Sequence, residues 1–324
     1  MNTTVIRVDA AEQPTPAVND TRWDWNVAVF CRDERWSIVH CIESIADASQ
    51  TRRTLITLIV NGSSDDSAAL ALEAAKRRGI PLAVYTIAHG DKANAINRFF
   101  HGLREPARYY FFIDAYARIG PRSLAVMETL LAERPDAVAA TGVAANGRTM
   151  VLDTERTLTQ GSRLHGQLHA LRADFVDRLV ARGLRLPIGL YYGDGLVGSM
   201  ALHDLDPLRN AWEEKRIAHS ADATYEIPVL SPFRLRDLKR QFQRKVRQMR
   251  GRLQNLAIKS VVYKHGYEGL PENADDMVKA YLAEHGRPAV PLPDRIFQML
   301  ALRQIEDAPK PDPAKLEPVL SHRI

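Results

Sequence analysis

Short apolar runs alternate with stretches of helical periodicity through the first half of the chain. Val27-Ala28-Val29-Phe30 is a compact apolar run, followed by the polar group Arg32, Asp33, Glu34 and Arg35. From Ser37 to Ser49, Ile38, Cys41, Ile42 and Ile45 recur at helical spacing, with Ser37 as the N-cap. Thr54 to Val60 is β-branched and apolar, as a buried strand should be, and ends in the turn formers Asn61 to Asp66. A helix then runs to Arg78, where Gly79 and Pro81 are stop signals. Leu82 to Ile87 reads as a third strand, Lys92 to Leu103 as a third helix and Tyr109 to Ile113 as a fourth strand. Pro121 opens another helix, and Ala137 to Thr141 reads as a fifth strand.

Strands that are apolar throughout, alternating with helices, predict an α/β fold with a mainly parallel sheet flanked by helices. In such sheets ligands bind outside the carboxyl ends of the strands. The polar clusters after strands one, two and four fall at those ends, which is the pattern argument for a ligand site. Beyond Asn146 the pattern loosens. Arg163 to Ala170 is mixed, Ala173 to Ala181 is a helix, and Tyr191 to Gly195 is a loop entering a short helix. Arg216 to His219 and Thr224 to Pro228 read as two short strands. The expected division is a flexible arm over residues 1–24, one domain over 25–232, helices over 233–306 and a disordered tail over 307–324. No internal repeat is visible.

Composition narrows the class. The 324 residues are 45% hydrophobic and 26% charged, the balance of an ordinary globular chain. No run approaches the roughly 18 apolar residues of a transmembrane helix, and residues 1–20, with Pro14 and Pro16, lack a signal-peptide core. Cys31 and Cys41 can make neither a disulfide framework nor a metal spacing, so both are expected as buried thiols in a reducing cytoplasm.

The net charge of +5 matters for where it sits. Arg234 to Lys259 holds ten Lys or Arg against one acid, Asp237. Leu235, Leu238, Phe242, Val246, Met249 and Leu253 recur there at three- and four-residue steps. Such a basic amphipathic helix suits the anionic inner face of a membrane. The plain alternative is a solvated face held to the domain by its apolar stripe. Nucleic acid is not expected as a partner, because Phe242 is the only aromatic in the segment available for stacking.

Asp114 closes the fourth strand, where a carboxylate can reach a phosphate-bound Mg²⁺ or Mn²⁺. A strand-ending Asp that only caps a turn is the competing reading. Several motifs, taken in order, resemble the GT-A glycosyltransferases of family 2. They are Val27 to Phe30 with Arg32-Asp33-Glu34, Leu58 to Ser67 with Asn61-Gly62-Ser63-Ser64-Asp65-Asp66, and His89-Gly90-Asp91-Lys92-Ala93-Asn94-Ala95-Ile96-Asn97. Phe112-Ile113-Asp114-Ala115-Tyr116 and Gly166 to Asp174 follow, and then Gly193-Asp194-Gly195.

The resemblance, covering about residues 26–251, implies a GT-A (nucleotide-diphospho-sugar transferase) fold and a sugar moved from a nucleotide-diphosphate donor to a hydroxyl with inversion. It implies that Arg32, Asp33, Glu34, Asn61, Ser63, Asp65, Lys92, Asn97, Asp114 and Ala115 serve the donor. It makes Asp194 the base, and Asp114 with His219 the metal ligands. The acceptors it suggests are lipid-linked molecules and growing surface glycans.

Three residues depart from the family pattern. Tyr116 stands where a second carboxylate is usual, which puts the divalent cation in doubt; Asn61 replaces an Asp, and Gly193 replaces a Glu. A degenerate GT-A protein that binds nucleotide or a partner without catalysis is therefore the rival. A nucleotidyltransferase ranks last, because Arg32 to Trp36 contains no glycine.

Overall fold

A computed structural model of the chain describes residues 22–49, 52–147, 163–228 and 235–324. The apolar runs become strands β1 (Trp23–Cys31), β2 (Thr54–Asn61), β3 (Leu82–Ile87) and β4 (Ala107–Asp114). Helices α1 (Ile38–Ala48), α2 (Ser67–Arg78) and α3 (Lys92–Arg98) connect them, and α3 widens into a π-turn at Phe99–Leu103. Gly79 ends α2 at φ 62°, a left-handed position that glycine takes without strain.

The four strands lie side by side in the order β3, β2, β1, β4, all parallel. Their registers pair Cys31 with Val60, Phe30 with Asp114, and Asn61 with Ile87. The carboxyl ends are therefore level. The polar loops after β1, β2 and β4 open on one rim.

Further along are β5 (Arg118–Ile119), α4 (Ser123–Glu133), β6 (Ala139–Ala144), β7 (His169–Arg172), α5 (Ala173–Ala181), α6 (Gly193–Leu202) and β8 (Ile217–Glu226). β7 runs antiparallel between β4 and β6, and β8 lies parallel beyond β6. The two short strands expected at 216–219 and 224–228 are thus a single strand. β7 fell in a stretch whose mixed pattern had given no clear element, because its core-facing positions are shared among His, Ala and Leu.

The last elements are α7 (Leu235–His265), α8 (Ala274–His285), α9 (Arg295–Glu306) and β9 (Pro318–Arg323). β9 corrects the disordered tail: it pairs antiparallel with β3 and closes that side of the sheet. The backbone hydrogen bonds of this edge hold a polar, Pro-containing segment that its composition alone does not favour. The arm expected over residues 1–24 falls, up to residue 21, outside the described residues, as does Arg234.

Both faces of the sheet are covered, which is why the strands show no alternation. Val27, Val29, Leu58, Val84, Phe111 and Ile113 face α1, α2 and α4. Ala28, Phe30, Ile59, Tyr110 and Phe112 face the other way, toward Ile96, Phe99, Phe175 and Val197. Val246, Met249, Leu253 and Val262 of α7 join this second cluster, as do Met277 of α8 and Leu302 of α9. Each such side chain contributes about 1.5–3 kcal/mol on burial. From Val246 onward the apolar stripe of α7 is thereby buried against the body of the protein, while Phe242 stays exposed.

Candidate active site

The rim begins with two loops tied to each other. Asp33, at φ 53°, donates its backbone N–H to Ser63 Oγ at 3.0 Å, and its carboxylate accepts from the Ser64 N–H at 2.8 Å. Asp65 accepts from the Arg35 N–H at 3.0 Å and from the Ser67 hydroxyl at 2.6 Å. The Glu34 N–H donates to Ser67 Oγ at 2.9 Å, and Asn61 Nδ2 donates to Cys31 O at 3.3 Å. Asp33, Ser63 and Asp65, expected as donor contacts, are engaged in fixing this wall.

A third loop packs against the same wall. Gly62, at φ 65°, would place a Cβ 2.5 Å from Gly90 Cα, so glycine is needed on both counts. Gly90 lies against the Arg32 guanidinium, whose Nη1 donates to the Gly90 carbonyl at 3.2 Å. Arg32 is thus spread across the loop that leads to Lys92.

Asp91 caps α3, accepting from the Asn94 N–H at 2.8 Å and from the Gly189 N–H at 2.5 Å. The cap aims the first helical residue, Lys92, under the strand ends. Its Nζ lies 2.6 Å from Asp114 Oδ1 and 3.2 Å from Asp194 Oδ2. Asp194 comes from the first turn of α6, where the helix dipole favours a carboxylate. Lys92, Asp114 and Asp194, separate in sequence, are brought together.

Gly166 makes the meeting sterically feasible. A Cβ there would stand 2.3 Å from Asp194 Oδ2 and 2.9 Å from Lys92 Nζ. Tyr116 donates its hydroxyl to Asp114 Oδ2 at 2.9 Å, and Gln167 Nε2 donates to the Tyr116 oxygen at 2.9 Å. His169 stacks on Phe112 with ring centres 4.7 Å apart. Its Nδ1 donates to the His165 carbonyl at 3.0 Å. Ala115, buried behind Asp114, donates its N–H to the Phe30 carbonyl at 3.0 Å.

Charge is tightly coupled in this cluster. Burial is the largest influence on the Asp194 carboxyl and raises it, but the Lys92 ammonium, the His169 ring and hydrogen bonding together outweigh it and hold the group below its ordinary range. Burial dominates at Asp114 and keeps that carboxyl above its ordinary value despite Lys92. Burial likewise opposes the ammonium of Lys92, yet the two carboxylates keep it charged well past its usual range. Burial lowers His169 to about 4, so it is neutral at pH 7. Among the described residues, Asp194 Oδ1 is buried without a hydrogen-bond partner.

Two expected residues stand elsewhere. Asn97 donates to the Leu186 carbonyl at 2.8 Å and accepts from the Leu186 N–H at 2.8 Å, so its amide joins α3 to the loop before α6. His219 lies on β8, paired with Thr141 and three strand positions from β4. At about 4.8 Å per strand, those axes are roughly 14 Å apart.

One Mg²⁺ or Mn²⁺ ion, with ligands about 2.0–2.6 Å away, does not bridge Asp114 and His219 across that span. Both Asp114 oxygens are also taken, one by Lys92 and one by Tyr116. Among the described residues no three His, Cys, Asp or Glu side chains form a metal-holding group. The donor set around Asp114 does not fit a divalent cation as arranged.

Sequence reasoning named Lys92, Asp114 and Asp194 but missed Gly166, Gln167 and His169 as their surroundings. All three of these surrounding residues lie inside the stretch Gly166 to Asp174 that resembles the family, but that resemblance does not say which side chains turn toward the charged cluster.

Comparison with protein-family models gives no match, and comparison with curated protein sequences gives none either. Solved structures do match. A mannosyltransferase from Pyrobaculum calidifontis, solved with GDP-Man and Mn²⁺, superposes with TM-score 0.56 at 15% identity, covering 89% of this chain and 86% of that one. TarS 1–349 from S. aureus, solved with UDP-GlcNAc, gives TM-score 0.51 at 13% identity, covering 87% of this chain and 80% of that one. The strand order, the level strand ends and these likenesses together give the chain the GT-A fold of the nucleotide-sugar glycosyltransferases.

Proposed function

We propose that this chain is an inverting glycosyltransferase that moves a sugar from a nucleotide-diphosphate donor to a hydroxyl acceptor. The observation that carries the reading is the convergence of Lys92, Asp114 and Asp194 at the strand ends of a GT-A sheet. In this reading the nucleotide lies along the wall of Arg32, Asn61 and Gly62, with its ribose toward Asp114. Asp194 accepts the acceptor proton as the hydroxyl oxygen bonds to the anomeric carbon, and the electron pair of the breaking bond leaves on the diphosphate. The solved neighbours bind GDP-Man and UDP-GlcNAc, which supports a nucleotide-sugar donor here.

A second reading, nucleotide binding without catalysis, draws on one observation. The base carboxylate is held by an ammonium at 3.2 Å, which lowers its basicity. A thermal-shift screen of nucleotide sugars tests the donor: ligand at about 100 times its Kd adds about 2.7 kcal/mol of stability. Transfer or donor hydrolysis that is lost in Asp194→Asn supports catalysis by Asp194. An Asp194→Asn protein with full activity removes that residue from the mechanism.

The acceptor we propose is lipid-linked or a surface glycan, met at the inner face of a membrane. Among the described residues no helix is long and apolar enough to cross a membrane. Arg244, Lys245, Arg247 and Arg252 are exposed on α7, and Phe242, Ile296 and Met299 are exposed nearby on α7 and α9. Co-sedimentation with anionic but not neutral vesicles is the expected result; equal binding to both removes the electrostatic part of the proposal.

A further inference from the structure

We infer that the Lys92 ammonium does the work of a divalent cation at this site, neutralising the leaving diphosphate without metal. The inference rests on the glycosyl-transfer reading above and goes beyond it by naming the electrophilic group. Its basis is the arrangement of Asp114, Tyr116, Gly166 and Gln167 around Lys92. Both Asp114 oxygens are already engaged: Oδ1 is 2.6 Å from Lys92 Nζ, and Oδ2 accepts from the Tyr116 hydroxyl at 2.9 Å. Tyr116 stands two residues on, where a second carboxylate would be needed, and presents a hydroxyl donor to Asp114 instead.

Gln167 fixes that phenol from the other side at 2.9 Å. Gly166 leaves room for the ammonium, since any Cβ there would approach Nζ to 2.9 Å. The chain is shaped around a positive charge that it supplies itself.

The chemistry balances without a further reagent. An ammonium has three N–H bonds, and two of them reach Asp114 Oδ1 and Asp194 Oδ2. The third is left to donate to a diphosphate oxygen. As the bond from the anomeric carbon to the phosphate oxygen breaks, its electron pair goes to that oxygen, and the charge is met by Lys92. The acceptor oxygen forms the new bond to the anomeric carbon and loses its proton to Asp194. Lys92 keeps all its protons throughout, so it acts as a fixed cation.

The test measures UDP and GDP binding to the full chain by calorimetry, in EDTA and in excess Mn²⁺. For the tighter of the two, affinity in EDTA should be within about threefold of that in Mn²⁺. Tyr116→Asp, which supplies the second carboxylate, should make binding rise at least about tenfold when Mn²⁺ is added. Lys92→Met should lose at least about tenfold in EDTA, with Lys92→Arg retaining most of the affinity.

Wild-type binding that requires Mn²⁺ overturns the inference and leaves the donor reading standing, as does Lys92→Met binding equal to wild type. If neither diphosphate binds wild type under either condition, the donor reading falls and the inference with it. Should Lys92→Met not fold, the wild-type and Tyr116→Asp comparisons decide.

Discussion

Replacing Lys92 with methionine keeps most of the length of the side chain and removes the charge that Asp114 and Asp194 share. The two contacts, at 2.6 and 3.2 Å, are short enough for strong attraction. At an effective dielectric constant of about 20, Coulomb's law gives roughly 6 and 5 kcal/mol of gross attraction. Desolvation offsets much of this, because all three groups are largely out of water. Removing one partner of a buried ion pair typically costs about 3–5 kcal/mol, since the other charge is left uncompensated.

Here two carboxylates are left, so the expected loss at pH 7 lies at the upper end of that range. The pH dependence identifies the cause. In the wild type, Asp194 sits below its ordinary range, so its contribution is present above about pH 4 and lost as pH falls through its folded value. Lys92 is raised, so its contribution is present below about pH 10.4 and lost as pH rises through its folded value. Between pH 5 and 8 both are intact. In the variant, two buried carboxylates without a cation bind a proton more readily, and the penalty should shrink toward pH 5. Urea unfolding at pH 5 and pH 8 measures this, and Lys92→Met/Asp194→Asn should recover part of the loss. A loss below about 1 kcal/mol, or one equal at both pH values, refutes the reasoning.

Three further outcomes follow from other parts of the molecule. Gly62→Ala should cost about 2–4 kcal/mol by urea unfolding, from left-handed strain plus overpacking against Gly90; a cost under about 1 kcal/mol would mean the loops separate freely. Burial pushes Cys31 up to about 12 and Cys41 up further, so neither thiol should react with an aromatic disulfide at pH 8 until denaturant is added. By the same shifts, stability should decline as pH climbs from about 8.5 toward the folded values, and rapid native labelling would contradict both statements. Deleting residues 317–324 should expose the edge of β3, lower the urea midpoint and produce oligomers on size exclusion; an unchanged midpoint and profile would make β9 dispensable.

The parallel half of the sheet was legible because each of its strands is a buried apolar run closed by turn residues. Val27 to Phe30, Thr54 to Val60 and Tyr109 to Ile113 carry that signal unaided. β7 was not legible, since His169 is buried by stacking on Phe112, a contact that sequence pattern does not encode. β9 was hidden for a related reason: its order comes from hydrogen bonds to β3 rather than from its own burial, and all five of its residues after Pro318 are exposed. At the site, Asp114 and Asp194 were found as motif residues, whereas the role of Tyr116 was seen only as a missing carboxylate. Its hydroxyl bond to Asp114 turns that deficit into a positive interaction. Asn97 and His219 were assigned by motif order, which fixes sequence position but not the direction of a side chain or the number of intervening strands.

The coverage of both sheet faces carries a consequence for how this protein fails. Thr54 to Val60 has no charge and no proline, and Tyr109 to Ile113 has neither; both are strongly β-prone. Folded, these segments are sealed between helices. Unfolded, they become sticky sequences whose flanking charges, Arg52 and Arg53 on one and Arg108 and Asp114 on the other, are the gatekeepers against self-association. Heat inactivation should therefore end in aggregation, with an apparent Tm that rises with scan rate, and the lifetime of the native state on warming will be set by the height of its unfolding barrier.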